Sequence, residues 1–215
     1  VASSTDLPAG FTGFPPEAFE FYEDLEQDNS KTFWQAHKQQ YDDAVRAPMT
    51  ALMETLAEEF GAAKIFRPYR DVRFSHDKTP YKTHQGAYVK TAPGAGWYAE
   101  IGAPCFRTGG GFYRADAAGL KRVRNQIAGA KGGAFADLVE RLQRKGWELR
   151  GEQLKTAPRG FEADHPRIDL LRHKSLSLTR PIEEEIVGTA GLADRVRADW
   201  RELRPFVEWL TDILR

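Results

Sequence analysis

The stretch from Phe66 to His84 reads Phe66-Arg67-Pro68-Tyr69-Arg70-Asp71-Val72-Arg73-Phe74-Ser75-His76-Asp77-Lys78-Thr79-Pro80-Tyr81-Lys82-Thr83-His84. Five fixed cations, Arg67, Arg70, Arg73, Lys78 and Lys82, stand in it against two acids, Asp71 and Asp77. Arginine grips carboxylate or phosphate with a planar two-pronged fork, and lysine adds a mobile point charge beside it. Phe66, Tyr69, Phe74 and Tyr81 are interleaved with the charges, and a merely solvated charge run has no need of them. The pattern predicts a packed segment that forms an anion-binding cleft. If chemistry takes place there, Arg70 and Arg73 hold the anion and Lys78 and Lys82 neutralise developing charge. His84 or Asp71 then moves a proton. The same residues admit a structural reading, in which Arg70, Arg73 and Lys82 pair with Asp71, Asp77 and acidic helices and hold an aromatic loop in place.

Other residues bear on the same site. In His165-Pro166-Arg167-Ile168-Asp169-Leu170-Leu171-Arg172-His173-Lys174, helical spacing puts Asp169 and His173 on one surface, and Lys174 joins the anion-binding set. Thr108-Gly109-Gly110-Gly111-Phe112 lacks the lysine and hydroxyl of a phosphate loop, so its glycines predict close packing rather than phosphate cradling. His76, Asp77, His84, Asp164 and His165 have no metal-ligand spacing, and no metal site is assigned. Cys105, after Pro104 in an expected strand, reads as a small buried hydrophobe, and Ser75 beside His76 lacks a nucleophile-elbow pattern.

The elements that must position these residues follow from periodicity. Pro15-Pro16-Glu17 opens a helix with Ala18, Tyr22 and Leu25 on one face. Ser30 caps a second helix, with Trp34, His37, Tyr41 and Val45 at helical spacing and His37 as a core or interface histidine. Pro48 predicts a hinge or restart, followed by Met49, Leu52, Met53, Leu56 and Phe60, with Gly61 as the C-cap. Between Ile65 and Tyr113 the helical period vanishes. Strands are expected at Ile65 to Arg67, Val72 to Phe74, Gly86 to Thr91, Trp97 to Gly102 and Cys105 to Tyr113, with a hairpin around Pro93-Gly94-Ala95-Gly96. An extended Val72 to Phe74 puts Asp71 and Arg73 on one face.

Further on, Asp116 caps a helix bearing Leu120, Val123 and Ile127, and Phe135, Leu138, Val139 and Leu142 mark another after Gly132-Gly133. Trp147 to Leu149 and Leu176 to Leu178 read as strands, Gly151 to Pro166 as a surface crossing, and Ile168 to Arg172 as a short helix. Val196, Trp200, Leu203, Val207, Leu210 and Leu214 form a last helical stripe that Pro205 should kink or restart. The fold expected is α+β: a central antiparallel sheet flanked by N-terminal and C-terminal helices, residues 14–215 forming one domain after a flexible segment 1–13.

Composition limits the function classes. With 215 residues, 41% hydrophobic and 29% charged, the chain suits a soluble globular protein. It has no apolar run long enough for a bilayer span, so no membrane partner is expected. A single cysteine excludes a disulfide framework, and the default compartment is cytoplasmic. Val1 to Phe60 holds 12 acids and 3 bases, a charge of −9, which the rest of the neutral chain balances with +9. That gradient suits an acidic helical layer against a basic body and does not favour duplex DNA.

The motifs together carry a resemblance. Asn29-Ser30-Lys31-Thr32-Phe33-Trp34-Gln35-Ala36-His37-Lys38 with Tyr41, the segment from Phe66 to His84, and Gly109-Gly110-Gly111-Phe112-Tyr113 resemble the bacterial proteins grouped as domain of unknown function 2461, from about Phe14 to about Leu210. The resemblance implies a single-domain, soluble bacterial protein of unassigned activity, so it transfers no catalytic residue or cofactor. Where that family carries serine-lysine-aspartate, this chain reads Ser75-His76-Asp77, one cation fewer. The functional expectation is an anion-binding cleft for a phosphorylated or nucleotide-like small molecule, with enzyme activity left open. The alternative is a non-catalytic module docking an acidic protein or single-stranded nucleic acid through its basic aromatic loop.

Overall fold

A computed structural model of the chain describes residues 10–73 and 77–215. Helix α1 (Glu17–Gln27) follows Pro16 and carries Glu17 and Glu20 in its first turn, where the amide dipoles favour acids. It buries Ala18, Phe21, Tyr22 and Leu25. Ser30 caps α2 (Lys31–Gln40), its Oγ accepting from the Phe33 amide at 3.1 Å. Such a bond contributes about 1 kcal/mol.

The irregularity expected at Pro48 lies one turn earlier. The helix widens into a π-helical stretch, Tyr41–Arg46, and resumes as α3 (Ala47–Phe60), which has Pro48 in its first turn. Proline offers no amide hydrogen, and in a regular helix its ring collides with the carbonyl four residues back. Here the Ala47 amide donates to Asp42 O, five residues back, so the turn ahead of the proline holds one more residue than usual. Gly61, at φ +95°, ends α3 with its amide on Ala57 O.

The strands are β1 (Lys64–Ile65), β2 (His84–Ala92), β3 (Ala95–Gly102), β4 (Cys105–Phe112), β5 (Glu148–Arg150) and β6 (Leu176–Ile182). They form an antiparallel sheet in the order β1-β2-β3-β4-β6-β5. The helices α4 (Ala117–Ala128), α5 (Gly132–Arg144), α6 (Ile168–Leu171), α7 (Glu184–Val187) and α8 (Gly191–Leu214) complete an α+β fold in which helices flank the sheet. Along β3, Trp97, Ala99 and Ile101 are buried while Tyr98 and Glu100 are part-exposed, the alternation of a sheet packed on one face. The β2–β3 turn is Pro93-Gly94, with Ala95 and Gly96 already in β3. Helix α8 runs unbroken through Pro205 instead of restarting there.

The strand expected at Val72 to Phe74 needs correction. Val72 and Arg73 belong to no strand, Arg73 lying in a turn, and Phe74, Ser75 and His76 lie outside the described residues. The Asp71 carboxylate takes the Arg73 amide at 3.3 Å as well as its side chain, a local turn that competes with strand pairing. The first strand is likewise displaced, ending at Ile65 rather than Arg67.

The chain divides into two compact units. The first comprises residues 10–89, 99–107 and 181–197. Its core is an aromatic cluster in which Phe21 meets Phe33, Trp34 and Tyr41 at centroid distances of 6.0, 5.7 and 5.6 Å. The Tyr41 hydroxyl, buried and thereby held neutral well above its usual range, donates to Gln85 Oε1 at 2.5 Å.

The second unit comprises residues 90–98, 108–180 and 198–215. Phe135 stacks on Phe206 and Trp209, and Trp97 on Trp200. Its three glycines are set by contact: a Cβ on Gly110 would stand 2.6 Å from Val207 Cγ2, and one on Gly111, at φ +145°, 2.3 Å from Leu176 O. Buried Asp199 pairs with Arg180, whose guanidinium lies 4.2 Å over the Trp147 ring and 3.2 Å from Glu202. Glu202 also accepts from Lys145 at 2.8 Å and from the Trp147 indole at 2.9 Å. Arg167 closes the end of α4 on the carbonyls of Ile127 and Ala128, and Arg124 closes α6 on that of Leu171.

Candidate functional site

The basic aromatic segment is tied down at its two flanks. Tyr69 and Tyr81 form an antiparallel bridge, with the Arg70 amide on Pro80 O at 2.9 Å and the Lys82 amide on Pro68 O at 2.8 Å. Asn29, just before α2, clasps the Tyr81 backbone from both sides, donating to its carbonyl at 3.1 Å and accepting from its amide at 3.0 Å. Trp34 then stacks flat on the Tyr81 ring, 4.3 Å away at 7°. The conjunction of the Asn29-to-Tyr41 motif with the central segment is therefore a physical contact.

Within this frame two of the expected anion-binding side chains, Arg70 and Arg73, are each neutralised by an acid. Arg73 clasps Asp71 in a two-pronged pair, Nε at 2.9 Å and Nη2 at 2.7 Å, with 76% of the Arg73 side chain exposed. Hydrogen bonds from the Arg73 side chain and backbone hold the Asp71 carboxyl down at about 2, so it is ionised near neutrality. Arg70 donates to Asp77 and, at 2.5 Å, to Thr79 Oγ1. Asp77 is lowered to about 2, chiefly by the Thr79 amide and hydroxyl, then by Arg70.

The lysines rest on backbone carbonyls: Lys78 Nζ on Val72 O and Lys82 Nζ on Arg67 O, each at 3.0 Å. Lys82 also lies 5.3 Å over the Phe66 ring, and burial followed by the charge of Arg67 lowers its pKa. His84, at the start of β2, has Nε2 3.9 Å from Glu100 Oε2 on β3. Lys174 belongs to the second unit, where it pairs with Glu152. Nearby His173 is buried, with Nδ1 2.9 Å from Ser175 O and Nε2 2.9 Å from the Gln153 amide.

Arg67 differs from the other five cations. Among the described residues its guanidinium makes no hydrogen bond or ion pair, and it borders a hollow of about 240 Å³. Trp34, Lys38, Tyr41, Arg46 and Tyr69 line the same space, together with Phe66 and Asp42. The π-helical stretch contributes here: Tyr41 and Arg46, five apart, both reach the hollow, as the wider turn permits. Lys38 donates to Asp42 at 2.5 Å, and Arg46 stands 4.0 Å from it, so one carboxylate faces three cations. Tyr69 is 50% exposed at the rim.

The Trp34 indole N–H is buried and meets no acceptor among the described residues, in a side chain only 4% exposed. An unsatisfied donor of this kind costs about 1–3 kcal/mol unless something supplies an acceptor. The arrangement offers two things in one place, a guanidinium free to take an anion and an aromatic lining. Among the described residues no group of three or more histidine, cysteine or acidic side chains gathers as a metal site would require.

The sequence reading did not assign Trp34, Tyr41, Lys38 or Arg46 to the site. Trp34 and Tyr41 read as a helix stripe. Lys38, four residues after Trp34, was the available signal: a cation one turn along an aromatic face.

A family model described as "Conserved hypothetical protein (DUF2461)" matches residues 17–209, and the chain belongs to that family. No curated protein and no solved structure matches the chain. Among the described residues no helix is long and apolar enough to cross a membrane.

Proposed function

We propose that this member of the conserved hypothetical family binds an anionic small molecule, phosphorylated or nucleotide-like, in the hollow beside Arg67. The observation that carries the reading is the unpaired Arg67 guanidinium on a space lined by three cations and one carboxylate. Arg67 takes the anion, and Arg46 and Lys38 supply supporting charge. Arg70, Arg73, Lys78 and Lys82 brace the segment that presents Arg67, because each already has an internal partner. The function is binding, and no proton transfer is assigned to Asp71 or His84.

Calorimetric titration with pyrophosphate, ribose 5-phosphate, AMP and UMP tests it. At least one compound should bind, and Arg67→Ala should weaken it by about 10- to 100-fold, the range for a lost hydrogen bond to a charged group. The melting temperature should stay within about 2 °C, since an exposed arginine without a partner contributes little to stability. Arg67→Lys should recover part of the loss, and added salt should weaken binding. Absence of binding by all four compounds, or equal binding by Arg67→Ala, defeats the reading.

The half-exposed Tyr69 ring favours a second reading, in which the loop docks single-stranded nucleic acid or an acidic protein. That reading requires affinity to rise with oligonucleotide length.

A further inference from the structure

Resting on the binding reading above, we infer that the hollow receives the heteroaromatic ring of a 5′-mononucleotide, with the ring inside and the phosphate on Arg67 at the rim.

The division of lining residues orders the ligand. Trp34 and Tyr41 are 4% and 3% exposed, while Arg67 is exposed and Tyr69 half-exposed. The inner wall is therefore aromatic and the outer edge cationic. A phosphate driven inward would lose water against Trp34, Tyr41 and Phe66 and approach Asp42. At the rim it keeps part of its hydration and meets the guanidinium.

The occupant of the inner part must satisfy two conditions. It must be flat enough to share space with rings already in contact, since Trp34 lies 4.8 Å from Tyr41 and 6.1 Å from Tyr69 between centroids. It must also be uncharged, since a charge there would lose water against Trp34, Tyr41 and Phe66. A nucleobase, flat and uncharged, meets both, whereas a sugar phosphate has no flat apolar face.

Size argues in the same direction. About 240 Å³ is smaller than the roughly 300–1,000 Å³ typical of pockets that enclose a drug-sized molecule, so one ring fits inside and the remainder stays outside. The half-exposed Tyr69 ring is placed to cover the base once it is in.

The experiment compares AMP and UMP with ribose 5-phosphate and a single-stranded 12-mer, on the full chain and on Trp34→Phe, Tyr69→Ala and Arg67→Ala. At least one mononucleotide should bind tenfold or more tightly than ribose 5-phosphate. Trp34→Phe keeps a six-membered ring against Tyr81 but trims the aromatic wall of the hollow, and it should cost about tenfold. Tyr69→Ala, at a half-exposed position, should also cost about tenfold and provides the test if the tryptophan variant fails to fold. In ¹⁵N-labelled protein the indole N–H signal that disappears in Trp34→Phe should shift on adding the nucleotide.

Equal, Arg67-dependent binding of ribose 5-phosphate and both mononucleotides would overturn the ring inference and leave the anion site standing. So would mononucleotide affinity unchanged in both Trp34→Phe and Tyr69→Ala. Tighter binding of the 12-mer than of either mononucleotide would overturn it in favour of a strand. Failure of every phosphorylated compound to bind would remove the anion site itself and the inference with it.

Discussion

Removing the carboxylate of Asp199 should be among the most damaging single changes in the second unit. Asp199 is 0% exposed, and the Arg180 side chain it pairs with is 17% exposed. Asp199→Ala leaves that guanidinium in a poorly hydrated site with a carboxylate missing, a situation that costs about 3–5 kcal/mol. Glu202, 3.2 Å from Arg180, still offers a second carboxylate, and the Trp147 face still covers the cation, so the loss should fall near 3 kcal/mol. At about 2–4 °C per kcal/mol for a chain of this size, the melting temperature drops by about 6–12 °C. Urea unfolding followed by circular dichroism measures the midpoint, and an unchanged slope would confirm that stability alone has moved. The double variant Arg180→Met with Asp199→Leu should recover most of the loss, because well-packed apolar partners often replace a buried ion pair without penalty. A melting temperature within about 2 °C of the parent for Asp199→Ala, or a double variant no more stable than the single, refutes the account.

Three smaller effects follow. Burial lowers the His173 pKa, and in the folded chain its Nε2 accepts from Gln153, so the neutral ring is the one that fits. The stability it provides is therefore full above the unfolded value near 6.5 and is lost as pH falls below it. The unfolding free energy from urea melts should decline from pH 7 to pH 5, by at most about 1.4 kcal/mol per pH unit from this group, and His173→Gln should flatten the profile. Gly110→Ala places a methyl 2.6 Å from Val207 and 3.2 Å from Trp97 and should cost about 1–3 kcal/mol in a denaturant melt. Gly133→Ala, whose nearest neighbour is Arg167 at 4.0 Å, should be neutral or stabilising by up to about 1 kcal/mol.

Much of the architecture was legible because local rules decide it. Ser30 and Asp116 cap the helices their types predict, and the alternation around Trp97 to Ile101 marks a strand with one buried face. The hairpins follow from Pro93-Gly94 and from short spacing, which excludes crossover connections. The strand expected at Val72 to Phe74 is where a side chain acts on the backbone instead, Asp71 accepting from the Arg73 amide in a local turn.

The site was legible in part. Five cations stand between Arg67 and Lys82, yet a count of charges does not say which of them are already spent. Pairing of Arg70 with Asp77 and of Arg73 with Asp71 is short-range, and both pairs lie within seven residues in sequence, so it could have been weighted more heavily. Trp34, Lys38, Tyr41 and Arg46, which line the hollow with Arg67, come from α2 and the π-helical stretch, more than twenty residues upstream, and no local pattern links them to it. Asp199 had a visible signal: an acid beside Trp200 on the buried stripe of α8, where an unpaired carboxylate would not survive.

The widened turn at Tyr41–Arg46 makes this helical run one residue out of step with a regular one. A widened turn absorbs its extra residue locally, so losing a single position there would restore a regular turn and abolish the five-residue spacing by which Tyr41 and Arg46 both reach the hollow. The hollow is in this sense a product of chain length as much as of composition. Relatives that differ by one insertion or deletion in that run would present a different recess, even with every lining residue retained.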